Sequence, residues 1–178
     1  MKKLLFSVMV IASLSACKSG GKSDSAVSPS KMIKIQLAQK SDSGVSGEAT
    51  FTEKDGKVTF TATMTGLKPG VHAIHIHEKA DCSANDASSA GGHWNPLKKN
   101  HGKWGAAEYH KGDIGNFPAD ENGNGTITMT TSEWCIGCGD PAKDIIGKGL
   151  IVHEKADDFV TQPTGNAGGR VACAGIIK

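Results

Sequence analysis

The chain has 178 residues, with 20 Lys and Arg against 18 Asp and Glu, and setting Lys2 and Lys3 aside makes the two signs equal before histidines are counted. So balanced a charge lacks the basic footprint of a nucleic-acid partner, and none is expected. The length suits one domain with its own core, and no internal repeat divides it.

Lys2 and Lys3 precede an apolar run from Leu4 to Leu14, the order of a secretory signal, so residues 1–16 read as a signal peptide. The run is shorter than the roughly 20 apolar residues of a membrane-crossing helix. Leu14-Ser15-Ala16-Cys17 resembles a bacterial lipobox, in which the signal is cut before the cysteine. Cys17 is then the lipidation site and the mature N-terminus, with an ordinary signal and an incidental cysteine as the alternative. Residues 17–30, Ser, Gly, Lys and Asp with almost nothing apolar, read as a lipidated flexible tether, and residues 31–178 as the folded domain. The expected location is the bacterial cell envelope, held to the membrane by the lipid on Cys17 and facing the periplasm or the exterior.

From Lys31 onward, Ile33, Ile35 and Leu37 alternate with polar residues, as does Val58 to Met64, where threonines take the other face. Val71 to His77 and Thr126 to Thr130 repeat the period of two, and Asp55-Gly56 and Asn122-Gly123 supply turns. No segment shows a helical period. Glycine, 23 of 178 residues, is well above the usual 7% or so. The pattern predicts an all-β antiparallel sandwich or barrel. Two stretches, Lys79 to Lys111 and Glu154 to Gly169, break the strand rhythm; long irregular connections in a compact domain tend to carry function.

With Cys17 acylated, four cysteines remain, Cys82, Cys135, Cys138 and Cys173, and an oxidising compartment makes disulfides the expectation. Four cysteines permit three pairings. Joining Cys82 to Cys173 would close a loop of roughly 90 residues and restrict the unfolded chain by several kcal/mol. Cys135 and Cys138 form a C-x-x-C without the strand-then-helix context of a thioredoxin-like site, so a local disulfide is expected, with a free thiol pair or a metal clip as the alternative.

All seven histidines lie between His72 and His153. His75 and His77, two apart on a strand, project from one side; alone, such a pair is as well explained by a half-exposed strand with solvated imidazoles. His93, His101, His110 and Asp113 add three imidazoles and a carboxylate from one loop, a donor set that suits zinc. With His153 added, His75, His77 and one more imidazole make a nitrogen-rich set of the kind copper(II) favours.

The segments Gly70 to Glu78 (GVHAIHIHE), Gly92 to Pro96 (GHWNP), His110 to Asn116 (HKGDIGN), Val152 to Asp158 (VHEKADD) and Gly165 to Cys173 (GNAGGRVAC) resemble those of the copper/zinc superoxide dismutases. The spacing of His93, His101, His110 and Asp113 agrees as well. The resemblance spans the domain. It implies a Greek-key, eight-stranded flattened β-barrel, sandwich-like, with two long functional loops. It implies one copper per chain on His75, His77, His93 and His153, and one zinc per chain on His93, His101, His110 and Asp113, with His93 bridging the two. Asp157 matches the carboxylate that orients His75 and His101, Arg170 matches the cation beside the copper, and Cys82 and Cys173 match the family's intrasubunit disulfide. His72 is not a family ligand and reads as a structural, hydrogen-bonded histidine near the site.

The implied activity is antioxidant, with superoxide as substrate; His93 and Arg170 are the expected catalytic residues. A non-catalytic envelope copper- and zinc-binding protein, or a domain that hands copper to another protein, are the competing readings; Arg170 and the bridging His93 argue against the first, and the complete ligand set without an extra metal-binding domain argues against the second. The connection from His153 to Arg170 is shorter than in familiar cytosolic eukaryotic members and lacks their steering charges. Cys82, five residues after His77, and the insertion Ser83 to Gly91 are closer to exported bacterial members and alter a loop that helps build dimers, so a homodimer is left open. Cys135 and Cys138 have no counterpart in the familiar pattern. Trp94, Trp104 and Trp134 read as packing residues.

Overall fold

The computed structural model describes residues 30–178; the expected signal peptide, Cys17 and the tether up to residue 29 lie outside the described residues. Strand β1 (Lys31–Gln39) buries Ile33, Ile35 and Leu37 and turns Lys34 and Gln36 outward. β2 (Ser46–Lys54) and β3 (Lys57–Thr65) form a hairpin paired along its length. Its turn, Asp55-Gly56, has φ of 50° and 71°, the two positive values that a two-residue type I′ connection demands and that glycine adopts without a Cβ penalty.

β3 buries Val58, Phe60, Ala62 and Met64 and sets Thr59 and Thr61 outside. There their hydroxyls meet those of Thr130 and Thr128 at 3.0 and 3.1 Å on β6 (Gly125–Thr131). With β4 (Gly70–His77), β5 (Gly115–Ala119), β7 (Gly149–His153) and β8 (Arg170–Gly175), the strands close a barrel in the order β1-β2-β3-β6-β5-β4-β7-β8, every pair antiparallel. The neighbours β3 with β6 and β4 with β7 are crossovers, so this is the expected eight-stranded Greek-key barrel. One turn is wider than expected. Residues 120–124 separate β5 from β6, Gly123 alone is left-handed at φ 77°, and the Asp120 carboxylate accepts the N–H groups of Asn122 and Asn124.

The core is built on Phe51 and Phe60, whose rings lie 4.9 Å apart, with the edge of Trp134 at 6.3 Å from both. Trp134 arrives from the β6–β7 connection, a third irregular stretch that the strand pattern did not mark. Burying one such aromatic side chain is worth about 2–3 kcal/mol. Trp94 joins the same core and Trp104 packs against it, as expected of packing residues.

Two features place the functional residues. First, the second half of β4 is buried on both faces: Ile74 and Ile76 enter the core while His75 and His77 lie opposite, among residues of the connections 78–114 and 154–169. The solvated-pair reading of these histidines does not hold. Second, both disulfides form. Cys82–Cys173, with Cα atoms 5.9 Å apart, ties the first connection to β8, and Cys135–Cys138 closes a local clip, with Cα atoms 6.0 Å apart.

Candidate metal centre

A single residue of β4 anchors two of the segments that bring histidines from the long first connection, those of His93 and His110. The carbonyl of Ile76 accepts the N–H of Trp94 at 2.8 Å, and its own N–H donates to the carbonyl of Gly112 at 2.9 Å. Glu78 N–H to Gly92 O at 3.0 Å completes a short antiparallel bridge that pairs His93 with His77. Directly opposed residues of an antiparallel pair share a face, so His93 comes to the histidine side of β4. Gly112 brings its neighbours His110 and Asp113 along the other side of the Trp94 segment. His153 ends β7 at a bulge, an irregularity that re-aims the side chain, and there it pairs with Arg170.

These placements gather two groups of donors. His75, His77, His93 and His153 offer nitrogens all within 4.8 Å of one another, and His93, His101 and His110 offer nitrogens and Asp113 a carboxylate oxygen gathered as closely. His93 belongs to both. All seven residues are buried.

The hydrogen bonds sort the ring atoms. His75 Nε2 donates to Asp157 Oδ2 and His101 Nε2 to Asp157 Oδ1, each at 2.9 Å. His77 Nδ1 donates to the Gly91 carbonyl at 3.0 Å, His110 Nε2 to the Lys99 carbonyl at 3.1 Å, and His153 Nδ1 reaches the Gly168 carbonyl at 3.5 Å. Each of these five rings therefore spends its outward nitrogen on an acceptor and turns the other inward. His93 differs. Its Nδ1 meets Asp113 Oδ1 at 2.8 Å, inside the second group, and its Nε2 has no partner.

Four buried ring nitrogens have no hydrogen-bond partner among the described residues: His75 Nδ1, His93 Nε2, His101 Nδ1 and His110 Nδ1. His101 Nδ1 lies 3.0 Å and His110 Nδ1 3.3 Å from an Asp113 oxygen, close but not aligned for a hydrogen bond. Orphaned buried polar atoms are costly. Here they converge with carboxylate and imidazole lone pairs, the donor chemistry of zinc and copper ions, so the residues fit such ions.

Electrostatics agree with that fit. Burial holds His77 and His153 well below the ordinary imidazole value, aided by neighbouring rings, and lowers His75 against the pull of Asp157. Burial likewise brings His93 down to about 4 although Asp113 opposes it. Neutral imidazole is the ligating form. Burial would lower His101 too, but the adjacent Asp113 carboxylate and the hydrogen bond to Asp157 prevail and carry it up to about 9, the sign expected of a position that favours positive charge. Burial works against ionising Asp113 and Asp157, yet their histidine partners hold both well below the carboxylate range.

Arg170 starts β8, and its half-buried guanidinium donates to the carbonyls of Ala87 and Gly91, both at 2.7 Å. Gly91 O thus joins Arg170 to His77. Burial lowers the Arg170 pKa from its ordinary value while Asp86 opposes this, and a guanidinium stays cationic throughout the physiological range. A cleft of about 440 Å³ opens over His93 and His110, bordered by Lys99 and Thr164; Arg170 instead borders a separate cleft of about 360 Å³ with His72. His72 ligates nothing: its ring nitrogens meet the carbonyls of His153 at 2.9 Å and Lys68 at 2.8 Å.

Several supporting residues escaped the sequence reading. Gln162 clamps the backbone of His101, accepting its N–H at 2.8 Å and donating to its carbonyl at 2.9 Å, and Asn116 does the same for Asp157 at 2.8 Å in both directions. Asn116 lies in the family-like segment His110 to Asn116, a signal visible in the sequence. The carbonyls of Gly91, Lys99 and Gly168 had none, because every residue carries one. Gly165 matters by its bareness: a methyl there would overlap Asp157 Oδ1 and sit 2.6 Å from His101 Nε2.

Comparison with known proteins is consistent with this centre. Residues 45–176 match the sequence profile described as copper/zinc superoxide dismutase (SODC). The crystal structure of the clock protein EA4 is 39% identical with a TM-score of 0.69, covering 81% of this chain and 94% of its own. A double mutant of a SOD-like protein from Bacillus subtilis is 33% identical with a TM-score of 0.72, over 82% of this chain and 97% of its own. A single mutant of that protein is 31% identical at the same TM-score and coverage.

Proposed function

The chain belongs to the copper/zinc superoxide dismutase family, and from that premise we propose that it disproportionates superoxide, two anions and two protons giving O₂ and H₂O₂. The observation that carries the reading is the His93 ring, which alone among the clustered histidines has no outward hydrogen bond and stands in both donor groups. A protein that only stores metal has no need of a shared ring. Copper would be held by His75, His77, His93 and His153 and zinc by His93, His101, His110 and Asp113. Bound copper would supply the one-electron couple that takes an electron from one superoxide and returns it to a second, with zinc supplying fixed positive charge across the His93 ring.

The chain's own groups do the rest. Arg170, cationic and pinned by two carbonyls, attracts the anion; the family is itself a standing example of such steering. His93 Nε2, buried and unpartnered, is the atom that takes up a proton and passes it to the departing peroxide. Asp157, gripping one ring from each group, keeps the two donor sets in fixed relation. Residues 1–16 as an export signal and Cys17 as a lipid anchor to the cell envelope remain part of the proposal, supported by Lys2, Lys3, the run Leu4 to Leu14 and the lipobox-like Leu14 to Cys17. Radiolabelled palmitate appearing on the wild type and not on Cys17→Ala checks the anchor.

The functional test is superoxide consumption by the metal-loaded protein together with its copper and zinc content, repeated for His93→Ala and Arg170→Ala. One copper and one zinc per chain, with turnover lost in His93→Ala and lowered in Arg170→Ala, is expected. Metal uptake without turnover in the wild type would instead establish the metal-storage reading.

A further inference from the structure

The β6–β7 connection reaches the second donor group from outside. Tyr109 and Lys111 flank His110, and both side chains end on one carboxylate: the Tyr109 hydroxyl donates to Glu133 Oε1 at 2.6 Å, and Lys111 Nζ closely contacts Glu133 Oε2. The next residue, Trp134, donates its Nε1–H to the Lys111 carbonyl at 2.9 Å while its ring is buried in the core. Three contacts around His110 thus end on two consecutive residues, and the residue after them is Cys135.

That connection is itself tightly tied. Cys135 N–H donates to Lys143 O at 2.9 Å and its carbonyl accepts from Ile145 N–H at 3.2 Å. The Asp144 carboxylate accepts the N–H groups of Gly137 and Gly139 at 2.9 Å and of Ile146 at 3.1 Å. The Cys135–Cys138 disulfide closes the same turn, and Ile136 N–H anchors it to Glu53 at 2.9 Å. A ligand must be held to within about half an ångström to serve its ion, and groups behind the ligands do that holding.

We propose that Glu133 is a positioning residue for the His110 and Asp113 side of the centre, acting through Tyr109 and Lys111, and that the Cys135–Cys138 disulfide clamps the turn that presents it. This rests on the assignment of zinc to His93, His101, His110 and Asp113. Among the described residues the side chain of Glu133 is hydrogen-bonded only to Tyr109 and Lys111 beside His110, so its removal leaves the barrel's core contacts in place.

The test uses the full chain loaded with copper and zinc, following zinc release to a chromogenic chelator in wild type, Glu133→Ala, Glu133→Gln and the double variant Cys135→Ser/Cys138→Ser. Zinc release from Glu133→Ala is expected to be roughly 10-fold faster, the low end for groups behind a ligand, with copper retention unchanged. Glu133→Gln, which keeps an acceptor for Tyr109, falls between. With cobalt(II) in place of zinc, the visible ligand-field bands shift in Glu133→Ala, which a change in barrel stability alone does not produce. The double cysteine variant accelerates zinc release in the same direction, and adding Glu133→Ala to it contributes little more, since the two act in series. Unchanged zinc release and cobalt spectrum in Glu133→Ala overturn the positioning role, and acceleration there without acceleration in the cysteine variant overturns the clamp. A wild type that takes up no zinc overturns the metal assignment itself and the positioning role with it, so the two failures are distinct.

Discussion

The Nε2 atoms of His77 and His153 face each other across 3.4 Å with both side chains buried. Because the Nδ1–H of each is directed at a carbonyl, two lone pairs confront one another there, an arrangement that a cation between them relieves.

Metal binding is therefore expected to stabilise the fold strongly. An ion present at about a thousand times its Kd contributes about 4 kcal/mol, on the order of 10 °C in Tm for a domain of this size. Calorimetry of the loaded protein and of protein stripped by a chelator checks it; equal melting temperatures would count against both donor groups.

Asp157 serves both groups, so Asp157→Asn should weaken both ions together. An amide presents one oxygen and one NH₂ to two ring N–H donors, leaving one of His75 and His101 without an acceptor. Affinity for copper and zinc is expected to fall roughly 10- to 100-fold, read by competition with chelators. Gly165→Ala, whose methyl intrudes on the same contacts, should reproduce the loss.

Breaking Cys82–Cys173 should cost stability and activity at once. The bridge spans 91 residues of sequence, and closing so long a loop contributes about 4.6 kcal/mol in the chain-entropy account. It also ties β8 to the loop whose Ala87 and Gly91 carbonyls hold Arg170. Cys82→Ser/Cys173→Ser is expected to melt lower and to consume superoxide more slowly while keeping its metals; full turnover would separate the disulfide from Arg170.

The carboxylate of Asp144 gives a pH signature. Burial opposes its ionisation, but the N–H groups of Gly139, Ile146 and Gly137 prevail and its pKa lies below the ordinary value. A depressed carboxylate contributes stability above its unfolded pKa, about 3.9, and loses it as pH falls through the folded value. Asp144→Asn should thus be less stable than wild type by about 1 kcal/mol near pH 7, the gap closing below about pH 4. Thermal unfolding across that range tests this, and a gap independent of pH contradicts it.

Much of the centre was legible before folding because its chemistry is local and rare. Imidazoles at His75 and His77 share a face by the period of a strand, and the spacing from His93 to Asp113 carries the family's pattern. The irregular stretches around them were legible too, since strands announce themselves by alternation and loops by losing it. The β6–β7 connection was not, because Trp134, Ile136 and Ile145 are core residues in a segment without strand rhythm.

By itself the sequence determined the strand faces, the donor types and the residues that resemble a family, for these depend on side-chain chemistry and short-range period. The family resemblance already implied the shared ring of His93 and the pairing of Cys82 with Cys173; only the tertiary structure decided that Ile76 anchors two distant loop segments and that Glu133 collects the neighbours of His110. Those relations are made by backbone carbonyls and by residues far apart in the chain. A carbonyl is common to every residue, and the distance between remote residues exists only once the barrel has closed.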